Sequence, residues 1–153
     1  MPTRINHVSV NARDLEASVA FYEELLGAER IPTPNFGIPV QWLAVGETQL
    51  HLFERDLTPT SHHHLGITID DIASAYRAAE RHGAFDFDAF GNHLVELPGD
   101  VVQLYVRDPA GNLVELDFPG VERLPDELRA QLKGLWDFNP QDEEQMAGRL
   151  FVP

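Results

Sequence analysis

The chain contains no cysteine among its 153 residues. Disulfides, thiolate metal ligands and thiol nucleophiles are therefore excluded, and any metal must be held by histidine or oxygen donors. Long apolar runs are also missing. None approaches the ~20 residues that a membrane-spanning helix requires, and Met1-Pro2-Thr3-Arg4 lacks the apolar core of a signal peptide. Basic residues are scarce, with 11 Lys and Arg against 25 Asp and Glu, a net charge of −14. Nucleic acids and anionic membranes both need a positive face, so neither is expected as a partner. The lack of cysteine fits a cytoplasmic location. What is present is ordinary for a globular protein: 43% hydrophobic residues, in a length that suits one domain or two small fused modules.

The chain repeats itself. His7 lies in Ile5-Asn6-His7-Val8-Ser9-Val10 and His64 in His62-His63-His64-Leu65-Gly66-Ile67. An acidic-aliphatic step follows each, at Asp14-Leu15 and Asp71-Ile72, then a helix-like run closed by Gly27-Ala28 or Gly83-Ala84. His7 to His64 and Asp14 to Asp71 share one offset of 57 residues. A duplicated unit with a histidine on its first strand can bring two imidazoles to one place.

Alternation predicts strands at 4–10, 28–33, 39–45 and 48–53 in the first copy, and at 62–69, 93–97, 101–107 and 113–118 in the second. Helical spacing of Leu15, Val19, Tyr22 and Leu26 predicts a helix over 14–26, and Ile72, Ala75, Tyr76 and Ala79 predict another over 71–82. The fold class is α+β, two β-α-β-β-β modules forming a cupped mixed sheet, with a C-terminal helical tail. Residues 1–120 make up the two-module domain, with modules 3–55 and 62–118 joined by Arg55 to Ser61. Residues 121–153 are an amphipathic helical extension. Leu124, Leu128, Leu132 and Leu135 form one apolar stripe, which predicts a helix from Pro125 to Leu135, and a second helix is predicted over 141–150. The tail is expected to pack on its own domain, the alternatives being a dimer clasp or a lid.

Strand parity sorts the candidate site residues. His7 faces with Ile5 and Ser9, and His64 with His62, Gly66 and Thr68. His51 faces with Gln49 and Phe53, opposite Leu50 and Leu52. Glu115 faces with Leu113 and Asp117, opposite Val114 and Leu116. First and last strands of each copy thus supply His7, His51, His64 and Glu115 on the side away from the aliphatics. Imidazoles with one carboxylate suit Fe(II), Mn(II), Zn(II), Ni(II) or Co(II), and suit calcium poorly because it prefers oxygen. Phe36 and Trp42 are candidates to wall off a substrate, although ordinary hairpin packing is the simpler role for Trp42.

The segment Asp108-Pro109-Ala110-Gly111-Asn112-Leu113-Val114-Glu115-Leu116 resembles the Asp-Pro-x-Gly-Asn-x-x-Glu-Leu of the vicinal oxygen chelate superfamily, which includes glyoxalase I, extradiol dioxygenases, methylmalonyl-CoA epimerase and fosfomycin- and bleomycin-resistance proteins. His64 with Asp70-Asp71, and Ile5-Asn6-His7-Val8 with Phe21-Tyr22 and Leu26-Gly27, match the openings of the two modules. The resemblance covers Arg4 to Phe118. It implies that His7, His64 and Glu115 are metal ligands and that His51 stands at the fourth position, as a ligand or as a base. Glyoxalase-like members carry a carboxylate there and epimerase-like members a glutamine. It also implies a small-molecule substrate bound through two adjacent oxygens, and a homodimer. Leu104 to Glu115 fits the latter part of the extradiol dioxygenase signature, with Tyr105 facing the metal. The histidine of that signature lies closer to the tyrosine than His93 does, so His93 as an acid–base group is only suggested. The Tyr105 to Glu115 match, with no carboxylate at His51, leans the activity towards an extradiol-type dioxygenase over a glyoxalase-like lyase or an epimerase. A metal-free binding protein of the bleomycin-resistance kind and an interaction domain are the readings from other classes.

Overall fold

A computed structural model describes residues 4–152; Met1–Thr3, the start of the stretch read as lacking a signal-peptide core and of the first module, and Pro153 lie outside them. No helix among the described residues is long and apolar enough to cross a membrane. The chain divides into two compact units, Met1–His63 with Arg107–Asn112, and His64–Val106 with Leu113–Pro153.

The first unit runs β1 (His7–Ala12), α1 (Leu15–Leu26), β2 (Glu29–Ile31), β3 (Val40–Val45) and β4 (Thr48–Glu54). Its sheet order is β1-β4-β3-β2, with β1 parallel to β4 and the other pairs antiparallel. Asp14 caps α1 by accepting from the Ala17 amide at 2.9 Å, and Gly27 ends the helix at φ +62°, a backbone that favours glycine. The helix buries Val19, Phe21, Tyr22 and Leu25, and the sheet buries Leu43, Leu50 and Leu52.

The second unit repeats the order with β5 (His64–Thr68), α2 (Ile72–Arg81), β6 (Leu94–Leu97), β7 (Val101–Arg107) and β8 (Leu113–Pro119). The strands run β5-β8-β7-β6, with a short strand β9 (Lys133–Gly134) beyond β6, and again the first and last strands of the module are parallel. Both sheets are mixed, and the α+β class read from the sequence is the one observed.

The tail differs from its expected form. A 3₁₀ turn (Val121–Arg123) leads into α3, which spans only Asp126–Arg129. Leu124 and Leu128 are buried as the stripe required, but the helix does not reach Leu135. Instead Lys133–Gly134 form β9, pairing in parallel with Val95 and Glu96 on the open edge of β6. Glycine is a poor helix former, and an unpaired sheet edge offers the backbone a better set of partners. Two short helices follow, α4 (Leu135–Phe138) and α5 (Glu143–Met146), so the helix predicted over 141–150 shrinks to one turn.

The Asp-Pro-x-Gly-Asn segment proves to be a structural hub. Asp108 is 4% exposed. Its carboxylate accepts from the Tyr22 hydroxyl at 2.8 Å, the Ala110 and Asn112 amides at 2.9 and 2.8 Å, and the Asn112 side-chain amide at 2.7 Å. Asn112 also donates to the Asn11 carbonyl. Gly111 holds φ +90°. The motif therefore fixes a turn, not a reaction. Removing the acceptor of four buried or half-buried donors leaves them without partners, so Asp108→Ala should cost about 3 kcal/mol or more in urea unfolding, whereas Tyr22→Phe, which leaves a satisfied carboxylate, should cost about 1 kcal/mol. Equal losses from the two would contradict the hub.

Candidate functional site

In the first unit the register places His51 opposite Ser9 on β1 and opposite Trp42 on β3, while His7 stands opposite Gln49. The three rings form a stack. Trp42 and His51 are 4.1 Å apart at 4°, and His51 and His7 are 4.4 Å apart at 14°. One His51 nitrogen, Nε2, lies 2.9 Å from Gln49 Oε1. Burial and then the neighbouring His7 hold the His51 imidazole below its usual pKa, which keeps it neutral. These rings line an open hollow of about 570 Å³ together with Phe36, Gln49 and Phe53. Trp42 is thus a wall of the hollow, not simply a packing residue, and its buried Nε1 has no partner. Phe36 stands beside it, with ring centres 5.9 Å apart.

In the second unit Glu115 is opposite Gly66, two residues beyond His64. The two modules therefore use one rule: the histidine opens the first strand, and the second donor pairs with the residue two further on. His64 Nε2 lies 3.4 Å from Glu115 Oε2. A side chain at Gly66 would place its Cβ 3.3 Å from Asp117 Oδ2 and 3.5 Å from Glu115 Oε1, so the glycine leaves room for both carboxylates. Gln103 donates to Asp117 at 3.0 Å and accepts from the Tyr105 hydroxyl. Tyr105 also reaches Glu115, and burial followed by the Glu115 charge raises its pKa. Glu115 is 7% exposed. Burial, reinforced by the Asp117 charge, pushes its carboxyl up to about 7. Asp117 is raised as well, chiefly by burial. Phe90 stacks on Tyr105 at 4.5 Å and meets His64 edge-on at 5.7 Å.

Other candidates fall elsewhere. His93 is buried among Tyr76, Phe85 and Phe87, and its Nε2 has no partner. His62 and His63 are exposed and precede the strand, so parity does not govern them. Among the described residues no three His, Asp or Glu side chains are gathered where one ion could be held. The donors stand as two pairs, His7 with His51 and His64 with Glu115. Sequence reasoning missed Gln103, Asp117 and Phe90. The alternation of Gln103 with Tyr105, and of Asp117 with Glu115, was a usable signal; Phe90 lies on a loop with none.

The family model described as Glyoxalase/Bleomycin resistance protein/Dioxygenase superfamily matches residues 4–116. The chain belongs to this superfamily. Mouse mitochondrial methylmalonyl-CoA epimerase is 30% identical over 132 residues, covering 74% of this chain and 72% of that one. The solved lactoylglutathione lyase of Agrobacterium tumefaciens is 26% identical with a TM-score of 0.53, covering 76% and 94%. The fosfomycin resistance protein FosX of Listeria monocytogenes, solved with Mn(II) and sulfate, shares the fold at 17% identity and a TM-score of 0.61, covering 80% and 97%.

For this superfamily member the donor chemistry fits a divalent transition ion. A neutral imidazole is the form that ligates, and a buried carboxylate beside a second one is in want of a cation. The space kept free by Gly66 lies against that carboxylate. Without a cation the same burial has a measurable consequence. A carboxyl whose pKa rises from 4.5 to about 7 on folding binds its proton more tightly in the folded state. That contribution is fully present below pH 4.5 and is lost as pH rises through 7. With chelator present the urea midpoint should therefore fall across this window, and Glu115→Gln should remove most of the fall. A flat profile in the unaltered protein would refute the burial of a titrating carboxyl.

Proposed function

We propose that the protein is a divalent-metal-dependent enzyme that moves a proton at a carbon next to a carbonyl, in a small molecule presenting two adjacent oxygens. The observation that carries this reading is the pair of register-equivalent donor sites, His7 with His51 and His64 with Glu115, in a superfamily member 30% identical to an epimerase. His7, His64 and Glu115 are the proposed ligands, and Mn(II), Fe(II), Zn(II), Ni(II) or Co(II) the ion class. The ion would supply Lewis acidity towards the substrate oxygens. His51 is the proposed base. It is neutral, stacked in place by Trp42 and His7, and faces the open hollow. It would take the proton from carbon, leaving the electron pair delocalised into the carbonyl, and return it to the same or the opposite face. Tyr105, bonded to Gln103 and Glu115, would hold the carboxylate in place. Trp42, Phe36 and Phe53 would exclude water from the reacting carbon.

An extradiol-type dioxygenase is the second reading, favoured by the Tyr105 hydroxyl beside Glu115. Proton transfer takes precedence because that hydroxyl is already engaged by Gln103 and because His93 is enclosed by aromatic rings. The proposed partners are a small-molecule substrate and a second copy of the chain, for which β2 stands at the edge of its sheet.

Elemental analysis of protein purified without added metal, beside Glu115→Ala and His51→Gln, tests the assignment. Glu115→Ala should lose most of its metal and keep its fold. His51→Gln should keep the metal and lose about 10²- to 10⁴-fold in solvent-deuterium exchange into 2-methyl-branched acyl thioesters or 2-oxo acids. Full metal in Glu115→Ala would overturn the ligand set, and unchanged exchange in His51→Gln the base. Oxygen uptake on catechols in place of exchange would decide for the dioxygenase.

A further inference from the structure

The segment matched to the superfamily ends at residue 116, and the chain beyond β8 continues within the second unit. β9 adds itself to the edge of β6, and the Asn92 side chain donates to the Gln131 carbonyl at 2.9 Å, tying the end of the 86–93 loop to the tail. The chain then turns at Gly134, whose Cα is covered by the Trp136 ring so closely that a Cβ would collide with it. That turn delivers two side chains to the site side of the sheet. Leu135 packs with Phe90 and Ala89 on the cluster of Val95, Tyr105 and Leu113. The Phe138 ring lies on Gly91, where a Cβ would come within 3.4 Å of its edge carbons and where φ is +83°.

Phe90 is the residue held between these contacts. Its own loop is pinned at one end, where the Asp86 carboxylate accepts from the Asp88 and Ala89 amides at 3.2 and 2.8 Å. At the other end Gly91 has no side chain with which to fix itself, and Phe138 occupies the space a side chain would take. Phe90 in turn lies flat on Tyr105 and edge-on to His64, and Tyr105 contacts Glu115. A continuous set of packed groups thus runs from the tail to both members of the donor pair.

We propose that Leu135 and Phe138 are positioning residues: the C-terminal segment clamps the Phe90 loop and thereby sets the orientation of His64 towards Glu115. The functional meaning of this clamp rests on the metal-ligand reading given above, but its geometry does not. A chain cut after the shared segment would keep every proposed ligand and Phe90 itself, and lose the groups that clamp the Phe90 loop.

Phe138 is 41% exposed, so its removal leaves the core intact. The test uses the full chain, free of divalent ions, at one pH. Ring-proton resonances of His64 would be followed by NMR in Phe90→Ala, Phe138→Ala and Leu135→Ala, with Phe151→Ala as the control because Phe151 is 99% exposed. Phe90→Ala removes the aromatic ring from His64 and defines the full shift. Phe138→Ala and Leu135→Ala should each move the resonances at least halfway towards that position, and Phe138→Tyr, which keeps a ring on Gly91, should restore them. Co(II) titration should show a several-fold weaker affinity in the first two. His64 resonances that match the Phe151→Ala control in both tail variants, even with a lowered unfolding midpoint, would overturn the proposal and leave the tail a purely structural element. The expected shifts in a protein that binds no Co(II) would uphold the clamp and sink the metal reading.

Discussion

Parallel pairing of the first strand of each module with its last is the constraint on which the rest depends. A parallel pair cannot be closed by a short turn and needs a long crossover, which here is a helix and two further strands. That intervening chain carries the apolar cover, and α1 and α2 bury one side of each sheet. The other side is left for polar side chains. Register then does the selecting. His51 opposite Ser9, and Glu115 opposite Gly66, are the same step in the two ladders. A slip of one residue would send each donor into the aliphatic layer and bring a leucine out in its place.

The two modules spend this common geometry differently. In the first, the position beside the histidine pair is occupied by Trp42, Phe36 and Phe53, which make an open aromatic hollow. In the second, Gln103, Tyr105 and Asp117 surround Glu115 and hold it out of water. One unit therefore offers two imidazoles beside an open hollow, and the other a buried carboxyl whose cost of ionisation is met only in part by hydrogen bonds. The same register step thus carries different surroundings in the two units.

The repeat and the element types of its two modules were legible because they rest on local signals: alternation, caps at Asp14 and Asp71, and the glycines that end α1 and follow α2. The faces of His51 and Glu115 followed from parity alone. The Asp108 turn was legible as a family motif but not as what it is, since four donors converging on one carboxylate come from residues as distant as Tyr22. Trp42 was read as packing because nothing in a hairpin sequence distinguishes a tryptophan under the sheet from one stacked on a histidine. The tail failed for a different reason. Its leucine stripe is a real helical pattern, but only Leu128 of the four lies in α3, with Leu124 buried just ahead of it. The remainder is overruled by a sheet edge nearly forty residues earlier in the chain, which no local window contains.

Superfamily membership fixes architecture and leaves chemistry open, because one scaffold hosts epimerases, lyases, dioxygenases and binding proteins. The distinction has to come from what surrounds the donors. A dioxygenase needs a tyrosine or histidine free to meet an oxygen ligand. Here the tyrosine hydroxyl is held by Gln103, and His93 has a ring contact on three sides. A proton-transfer enzyme needs an unprotonated base within reach of its substrate, and the proposed base His51 is held below its usual pKa by burial, stacked between Trp42 and His7 and set against the open hollow. What separates the two proposed activities is therefore the surroundings of His51 and Tyr105, which superfamily membership does not dictate.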